Sequence, residues 1–536
     1  MKFHLLPLAC SLAVMTALGQ TTQTPTSGSA STAAAAPGAD WMPAESDFRE
    51  VILDEDQIVD GKATDTIVDP MELAVAKDGR VFWAERKGIV KMWTPSTKTT
   101  TVIATIPVFD GLEEGMLGMT LDPNFLKNGW VYLNHSLTET FNDGQGKAGK
   151  IRVSRYTLTG AQLDLASEKT IIEMQVQREQ CCHVGGSLTF DAKGNLYVSI
   201  GDNSNPFDSD GYSPNDPRPG RYPWDAQRSA ANANSLAGKI LRVKPRAEGG
   251  YDIPAGNLFK PGTPGTRPEI YVMGNRNPFR IAVDQKTGYL YWGEVGPDAG
   301  SGDPKRGPTG HDEVNQARKA GFFGWPYFVG DNKPYAPVDY VARQKYNDAN
   351  SARDAARKAG KPESEWPAKP EPWIAADFKP EFYDPAHPIN NSPNNTGIKE
   401  LPPAQPAFIW YPPSPSSRFP VVGSGGRTAM AGPVYYFDPK LKSEHKFPRQ
   451  FDHTLFIYEW SRNWIIAVKL DAQDNIAKDA NGKLMMARFM PKTRILRPMD
   501  IELGADGCLY VIEYGKEWGN NKDTKILRLE YTGSLQ

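Results

Sequence analysis

The stretch Asp78-Gly79-Arg80-Val81-Phe82-Trp83-Ala84-Glu85 couples a turn glycine to a run of β-branched and aromatic residues that ends in a carboxylate. The same grammar returns as Asn128-Gly129-Trp130-Val131-Tyr132-Leu133, Lys193-Gly194-Asn195-Leu196-Tyr197-Val198, Thr287-Gly288-Tyr289-Leu290-Tyr291-Trp292 and Asp506-Gly507-Cys508-Leu509-Tyr510-Val511. Glycine beside Asp or Asn suits the positive φ of a tight hairpin turn, and the residues that follow favour a pleated strand. Most copies are preceded by a second apolar run, at 71–76, 117–121, 188–190, 281–283 and 501–503. The repeating unit is therefore a hairpin. Five clear copies leave a gap, which Val434-Tyr435-Tyr436-Phe437 and Thr454-Leu455-Phe456-Ile457-Tyr458 fill as a degenerate sixth.

Six sheets in series, with almost no amphipathic helical windows between them, predict an all-β chain folded as a six-bladed β-propeller. A parallel α/β fold would need a helix after nearly every strand. The one helical window, 350–361, lies in a polar stretch at about 340–400, read as a loop and helix insertion on one face.

The remaining sequence bounds where and with what the chain works. Of 536 residues, 61 are Lys or Arg and 63 Asp or Glu, a net charge of −2. That balance supplies no field for nucleic acid, which is excluded as a partner. Lys2, the apolar run 5–18 and Ala17-Leu18-Gly19 form a secretory signal over 1–19. A Thr/Ser/Ala/Pro linker follows at 20–40, and the propeller domain is expected over 41–536. The expected location is periplasmic or secreted, with no stable membrane insertion. Adjacent Cys181 and Cys182 could close a vicinal disulfide or remain two small buried thiols.

Three clusters carry chemistry. In Cys181-Cys182-His183-Val184-Gly185-Gly186 a histidine, suited to proton transfer near neutral pH, precedes glycines that let a ligand approach the backbone. Gly274-Asn275-Arg276-Asn277-Pro278 sets a guanidinium beside amides, a match for a carboxylate or an electron-rich carbonyl. Glu294-Val295-Gly296-Pro297-Asp298, with Asp312-Glu313-Val314-Asn315 downstream, offers the hard oxygen atoms that calcium accepts. The residue six places after the turn glycine is Glu85, His135, Glu294 or Glu513 in four copies, and Asp202 lies two places further on in the third. These groups could form a ring at one channel mouth, as a calcium-dependent lactonase or other hydrolase would need.

Taken in order, Gly115-Met116-Leu117-Gly118, His183 with Gly185-Gly186, Ile200-Gly201-Asp202, Arg276-Asn277-Pro278, Gly296-Pro297, Asp312-Glu313-Val314-Asn315 and Gly324-Trp325-Pro326 give the chain its resemblance. Over about residues 55–533 it resembles the soluble sugar dehydrogenases dependent on pyrroloquinoline quinone (PQQ), the glucose/sorbosone dehydrogenase family. The resemblance implies that His183 takes a proton from a sugar hydroxyl while a hydride moves to the quinone, whose developing charge Arg276 stabilises. It implies that Asn277 helps hold the cofactor and that the carbonyls of Gly296 and Pro297 ligate a calcium ion. Glu113 stands where the family has a glutamine and Cys182 where it often has an aspartate. Arg462 lies one residue beyond a cofactor-pairing lysine, Arg497 matches a cofactor-binding arginine, and Trp410 and Arg427 fall near another cofactor-contacting stretch. The implied partners are a sugar substrate and a separate electron acceptor, a cytochrome or a quinone, since the chain has no CxxCH motif. A non-catalytic glycan-binding propeller, suggested by abundant Trp and Tyr, is the competing expectation.

Overall fold

The structure, a computed structural model, describes residues 41–535 apart from 376, 518 and 520. The expected signal at 1–19 and linker at 20–40 lie outside the described residues. Six four-stranded antiparallel blades follow one another in chain order. Blade one comprises Pro70–Val75, Val81–Glu85, Ile89–Thr94 and Thr99–Thr105. Blade two comprises Met116–Leu121, Trp130–Ser136, Lys147–Thr159 and Gln162–Gln177. Blade three comprises Leu188–Phe190, Leu196–Ile200, Lys239–Pro245 and Ile270–Met273. Blade four comprises Pro278–Val283, Leu290–Glu294, Asp312–Ala317 and Ile409–Tyr411. Blade five, the degenerate copy, comprises Ala429–Tyr435, Thr454–Glu459, Trp464–Lys469 and Met486–Phe489. Blade six takes Pro498–Leu503, Leu509–Glu513 and Lys525–Tyr531 from the C-terminal end and its outer strand, Phe48–Glu55, from the N-terminal end.

That borrowed strand closes the ring. Phe48 pairs in register with Tyr531 and stacks its ring against Phe447, Phe489 and Tyr531. Closure leaves no sheet free to splay and buries both faces of the blades, which explains strands such as Val81–Glu85 and Thr454–Glu459 that are buried throughout.

Charged side chains lock the inner strands together. Arg280, 1% exposed, donates to the carbonyls of Met71, Phe279 and Met499, from blades one, four and six. Glu72 of blade one accepts from Met119 N–H of blade two, from Leu188 N–H of blade three and from the Ser187 hydroxyl. Asp500 of blade six accepts from Leu73 N–H and from the Tyr458 hydroxyl of blade five. Buried charges persist only when paired and hydrogen-bonded, so this network sets the spacing of the inner strands.

The insertion lies inside blade four, between its third and fourth strands, at 318–408. Its helix spans Tyr340–Lys358, starting ten residues before the expected window. The missed signal is Asp339, whose carboxylate accepts from Val341 and Ala342 N–H and caps the first turn. No helix among the described residues is long and apolar enough to cross a membrane.

Candidate functional site

A cavity of about 300 Å³ opens where the inner strands begin. Its lining follows the repeat. Met71, Leu117, Phe279, Met430 and Met499 are each the second residue of an innermost strand, in blades one, two, four, five and six. Arg86, Val295 and Trp460 each follow the glutamate that ends a second strand, namely Glu85, Glu294 and Glu459. Leu112, Glu113, Val184, Gly185, Asn277 and Thr428 complete the walls.

His183 sits in the loop leading into blade three, at φ 65°, in the left-handed region that non-glycine residues seldom adopt. The loop lies so close to the end of the next strand that a Cβ on Gly201 would be 2.3 Å from the His183 carbonyl oxygen. Only glycine fits there. The His183 Nδ1 is 2.8 Å from Asp202 Oδ1, and both side chains are buried. The other oxygen of Asp202 accepts from Trp325 Nε1 at 2.7 Å, and Ser204 N–H adds a bond of 2.9 Å. An acceptor carboxylate makes Nδ1 the protonated nitrogen, which leaves the lone pair on Nε2. Asp202 N–H donates to the Arg276 carbonyl at 2.7 Å, so one aspartate ties the histidine to the arginine loop.

The neighbouring residues tie these loops to each other and to the loop before blade two. Glu113 accepts from His183 N–H at 2.6 Å, and Asn277 Oδ1 accepts from Gly185 N–H at 3.0 Å. Glu294 Oε1 accepts from both Arg276 and Asn277 N–H, at 2.5 and 2.6 Å. Burial, with Glu313 nearby, pushes the Glu294 carboxyl well above its ordinary range. The buried Arg276 guanidinium donates to the Val295 carbonyl at 2.9 Å and pairs with Asp298 at 3.3 Å. Cys181 and Cys182 are joined as a disulfide beside Glu113, which settles the alternatives left open by the sequence.

The other expected cofactor residues divide. Arg497 stacks on Trp460 at 4.4 Å, and its buried Nη1 has no hydrogen-bond partner. Arg427 lies next to Thr428, and its Nη1, without a hydrogen bond, pairs with Asp312 Oδ1 at 3.4 Å. Arg462 does not turn toward the cavity. Its guanidinium donates to the carbonyls of Pro412, Val422, Gly423, Gly425 and Gly426 and holds that loop in place. Trp410 also stands elsewhere, because it belongs to the outermost strand of blade four and packs on Phe419 and Arg418 around a different cavity. Trp460 is the tryptophan that lines the site, and sequence reading overlooked it; its signal was the position directly after a strand-ending glutamate.

The expected ring of metal-binding carboxylates does not form. Glu85 pairs with Lys91 at 2.7 Å, Glu294 and Glu459 cap backbone N–H groups at the start of their own blades, and Glu513 accepts from Leu496 N–H at 3.3 Å. His135 is bonded to the Ser154 hydroxyl. Among the described residues the one cluster of candidate ligand atoms is Glu113 with Cys181 and Cys182, whose sulfurs are tied up in the disulfide, so the hydrolase reading loses its support.

Two implied cofactors fare differently. PQQ is a flat, acidic quinone; the face of Trp460, the Met and Phe floor, and the Arg497 guanidinium, stacked on Trp460 with its Nη1 buried, suit such a ligand. Calcium needs several oxygen atoms free to converge. Here the Pro297 carbonyl already accepts from Arg427 Nη2 at 2.7 Å, and the Val295 carbonyl from Arg276. With the carbonyls on either side of Gly296 already held by guanidiniums, the turn does not fit a resident calcium ion.

The profile of the Glucose / Sorbosone dehydrogenase family matches residues 67–356, more than half of the chain. The chain belongs to this family. Among its relatives, Quinoprotein glucose dehydrogenase B of Acinetobacter calcoaceticus is 23% identical over 414 residues, covering 75% of each chain. Aldose sugar dehydrogenase YliI of Escherichia coli is 26% identical over 264 residues, 49% of this chain and 60% of that one. An uncharacterized protein of Synechocystis is 28% identical over 274 residues, 51% of this chain and 56% of the relative. The chain thus spans between about half and three quarters of the length of these curated relatives. The crystal structure of the soluble aldose sugar dehydrogenase from Escherichia coli in the apo-form superposes with a TM-score of 0.53 at 20% identity, over 90% of this chain and 99% of that one. This last likeness establishes the propeller fold.

Proposed function

We propose that this member of the family is a PQQ-dependent dehydrogenase that oxidises a sugar hydroxyl, with His183 as general base. The observation that carries the reading is the Trp325–Asp202–His183 chain, fastened through Asp202 to the Arg276 loop, beside a cavity whose wall includes Val184, Gly185 and Asn277 of the same two loops. Asp202 holds the imidazole with Nε2 free to take the hydroxyl proton, and stabilises the imidazolium that forms. Arg276 supplies fixed positive charge where negative charge would develop on a bound electron acceptor. Bound PQQ would supply a two-electron acceptor for the hydride released from the sugar carbon. Glu113 and Asn277 hold the loops in register, and the apolar floor keeps water from the reacting carbon.

The printed names of two relatives, a quinoprotein glucose dehydrogenase and an aldose sugar dehydrogenase, support an aldose-type substrate. The signal-like N-terminus supports work outside the cytoplasm, with electrons passed to a separate acceptor. The test is to add PQQ to purified apoprotein and follow reduction of an artificial dye across a panel of sugars. Dye reduction that requires both PQQ and sugar is the expected result. Sugar binding without PQQ uptake would favour a glycan-binding propeller instead.

A further inference from the structure

The turn after Glu294 has an unusual arrangement of charge. Its carbonyls at Val295 and Pro297 each accept from a guanidinium, that of Arg276 at 2.9 Å and that of Arg427 at 2.7 Å. Gly296, between them, donates its N–H to Asp312 Oδ1 at 3.0 Å, and the same oxygen lies 3.4 Å from Arg427 Nη1. The second Asp312 oxygen accepts from Ala429 N–H at 2.9 Å. Asp312 is fully buried, and the Arg427 side chain is only 7% exposed.

We infer that Arg427 is the resident cation of this site, in place of a calcium ion. Three observations converge. The Pro297 carbonyl that a calcium ion would need is already the acceptor of a short, charge-assisted bond. Two guanidiniums already face the carboxylates of Asp298 and Asp312 at this turn with no divalent ion. A calcium ion added there would displace Arg427 from Asp312 and stand beside two like charges in a poorly solvated place. Finally, Arg427 Nη1 lies 3.4 Å from Asp312 Oδ1 with no hydrogen bond of its own, and the residue precedes Thr428 of the cavity wall. An anionic oxygen of a ligand would share this nitrogen with Asp312. A planar guanidinium can hold the protein carbonyl with one nitrogen and the ligand with another, which gives the site the polarising charge of a metal without its coordination demands.

The inference rests on the proposed function only for the identity of that ligand, so the test has two parts. In the first, thermal midpoints of the apoprotein are measured in a calcium chelator and in millimolar calcium, for wild type, Arg427→Ala and Arg427→Lys. The wild type and Arg427→Lys should melt at the same temperature in both conditions. Arg427→Ala, with the carbonyls opened, should melt lower in chelator and be raised by calcium. An equal calcium-induced rise in wild type and Arg427→Ala would overturn the inference, whether or not a quinone binds. In the second, PQQ uptake is followed by absorbance. Wild-type affinity should change less than twofold between chelator and calcium, whereas Arg427→Ala should lose at least tenfold in chelator and regain it in calcium. Uptake by the wild type that disappears in chelator would contradict it. Absence of uptake under every condition would sink the proposed function and leave the melting comparison to decide the role of Arg427.

Discussion

The two sides of the cavity are built on different terms. On one side, blades three and four contribute His183, Asp202, Arg276 and Asn277 from loops next to their inner strands, each fixed by a bond to a neighbouring loop. On the other side, beyond the 318–408 insertion, blade five contributes Arg427, Thr428 and Trp460, while Arg462 ties down a loop and Trp410 of blade four lies at an outer edge. The first side carries the His183–Asp202 pair and Arg276, and the second supplies Arg427 to the Pro297 carbonyl and Trp460 to the cavity wall.

The largest effect expected is on the first side. His183→Ala should lower turnover by about 10²–10⁴-fold, the usual worth of a general base, with PQQ affinity nearly unchanged. Equal turnover in wild type and variant would remove His183 from the reaction. Asp202→Asn should lower kcat on the order of 10²-fold with little change in KM, because the amide no longer enforces the tautomer that leaves Nε2 as acceptor. A change confined to KM would mean that Asp202 only shapes the pocket.

The second side is probed by its two tryptophans. Trp460→Ala should weaken PQQ binding by about tenfold, the scale of one lost ring contact. Trp410→Ala, in a different cavity, should leave it within twofold. The reverse order in a binding titration would show that the stretch after the insertion is wrongly placed.

A separate effect, on stability rather than on turnover, concerns His135, one of three buried histidines with His183 and His311. His135, without a carboxylate bonded to it, has its pKa pushed down to about 4 by burial, so the folded protein keeps it neutral while the unfolded chain binds a proton below about pH 6.5. Its contribution is complete above that pH and is lost as the pH falls toward 4, amounting to about 2 kcal/mol at pH 5. His135→Gln should therefore flatten the drop in thermal midpoint between pH 6.5 and 5 and leave turnover at neutral pH unchanged. An identical drop in both proteins would contradict the assignment.

Much of this was legible in the sequence because the fold is a repeat. A turn glycine followed by an aromatic strand is a local signal, and even the degenerate copy at 434–458 was readable because five clearer ones set its expected place. His183 and Arg276 were legible because glycines and prolines mark their loops. The lining of the cavity was not. It depends on which residue of an inner strand comes second, a register fixed by pairings such as Pro70 with Glu85 and Pro498 with Glu513 rather than by composition. Trp410 misled for a related reason: strand residues alternate between faces, and an outer strand carries its tryptophan away from the channel whatever its neighbours in sequence. Glu85, Glu294 and Glu513 looked like ligands, yet Glu85 pairs with Lys91 and the other two accept backbone N–H groups at the start of their own blades, a use visible only once the loops are in place.

The most direct test of the account is an absorbance titration of the purified apoprotein with PQQ in chelator, run beside Arg276→Ala. The account predicts saturation at one quinone per chain and at least tenfold weaker uptake by the variant. No uptake by the wild type, or equal uptake by both proteins, would contradict it.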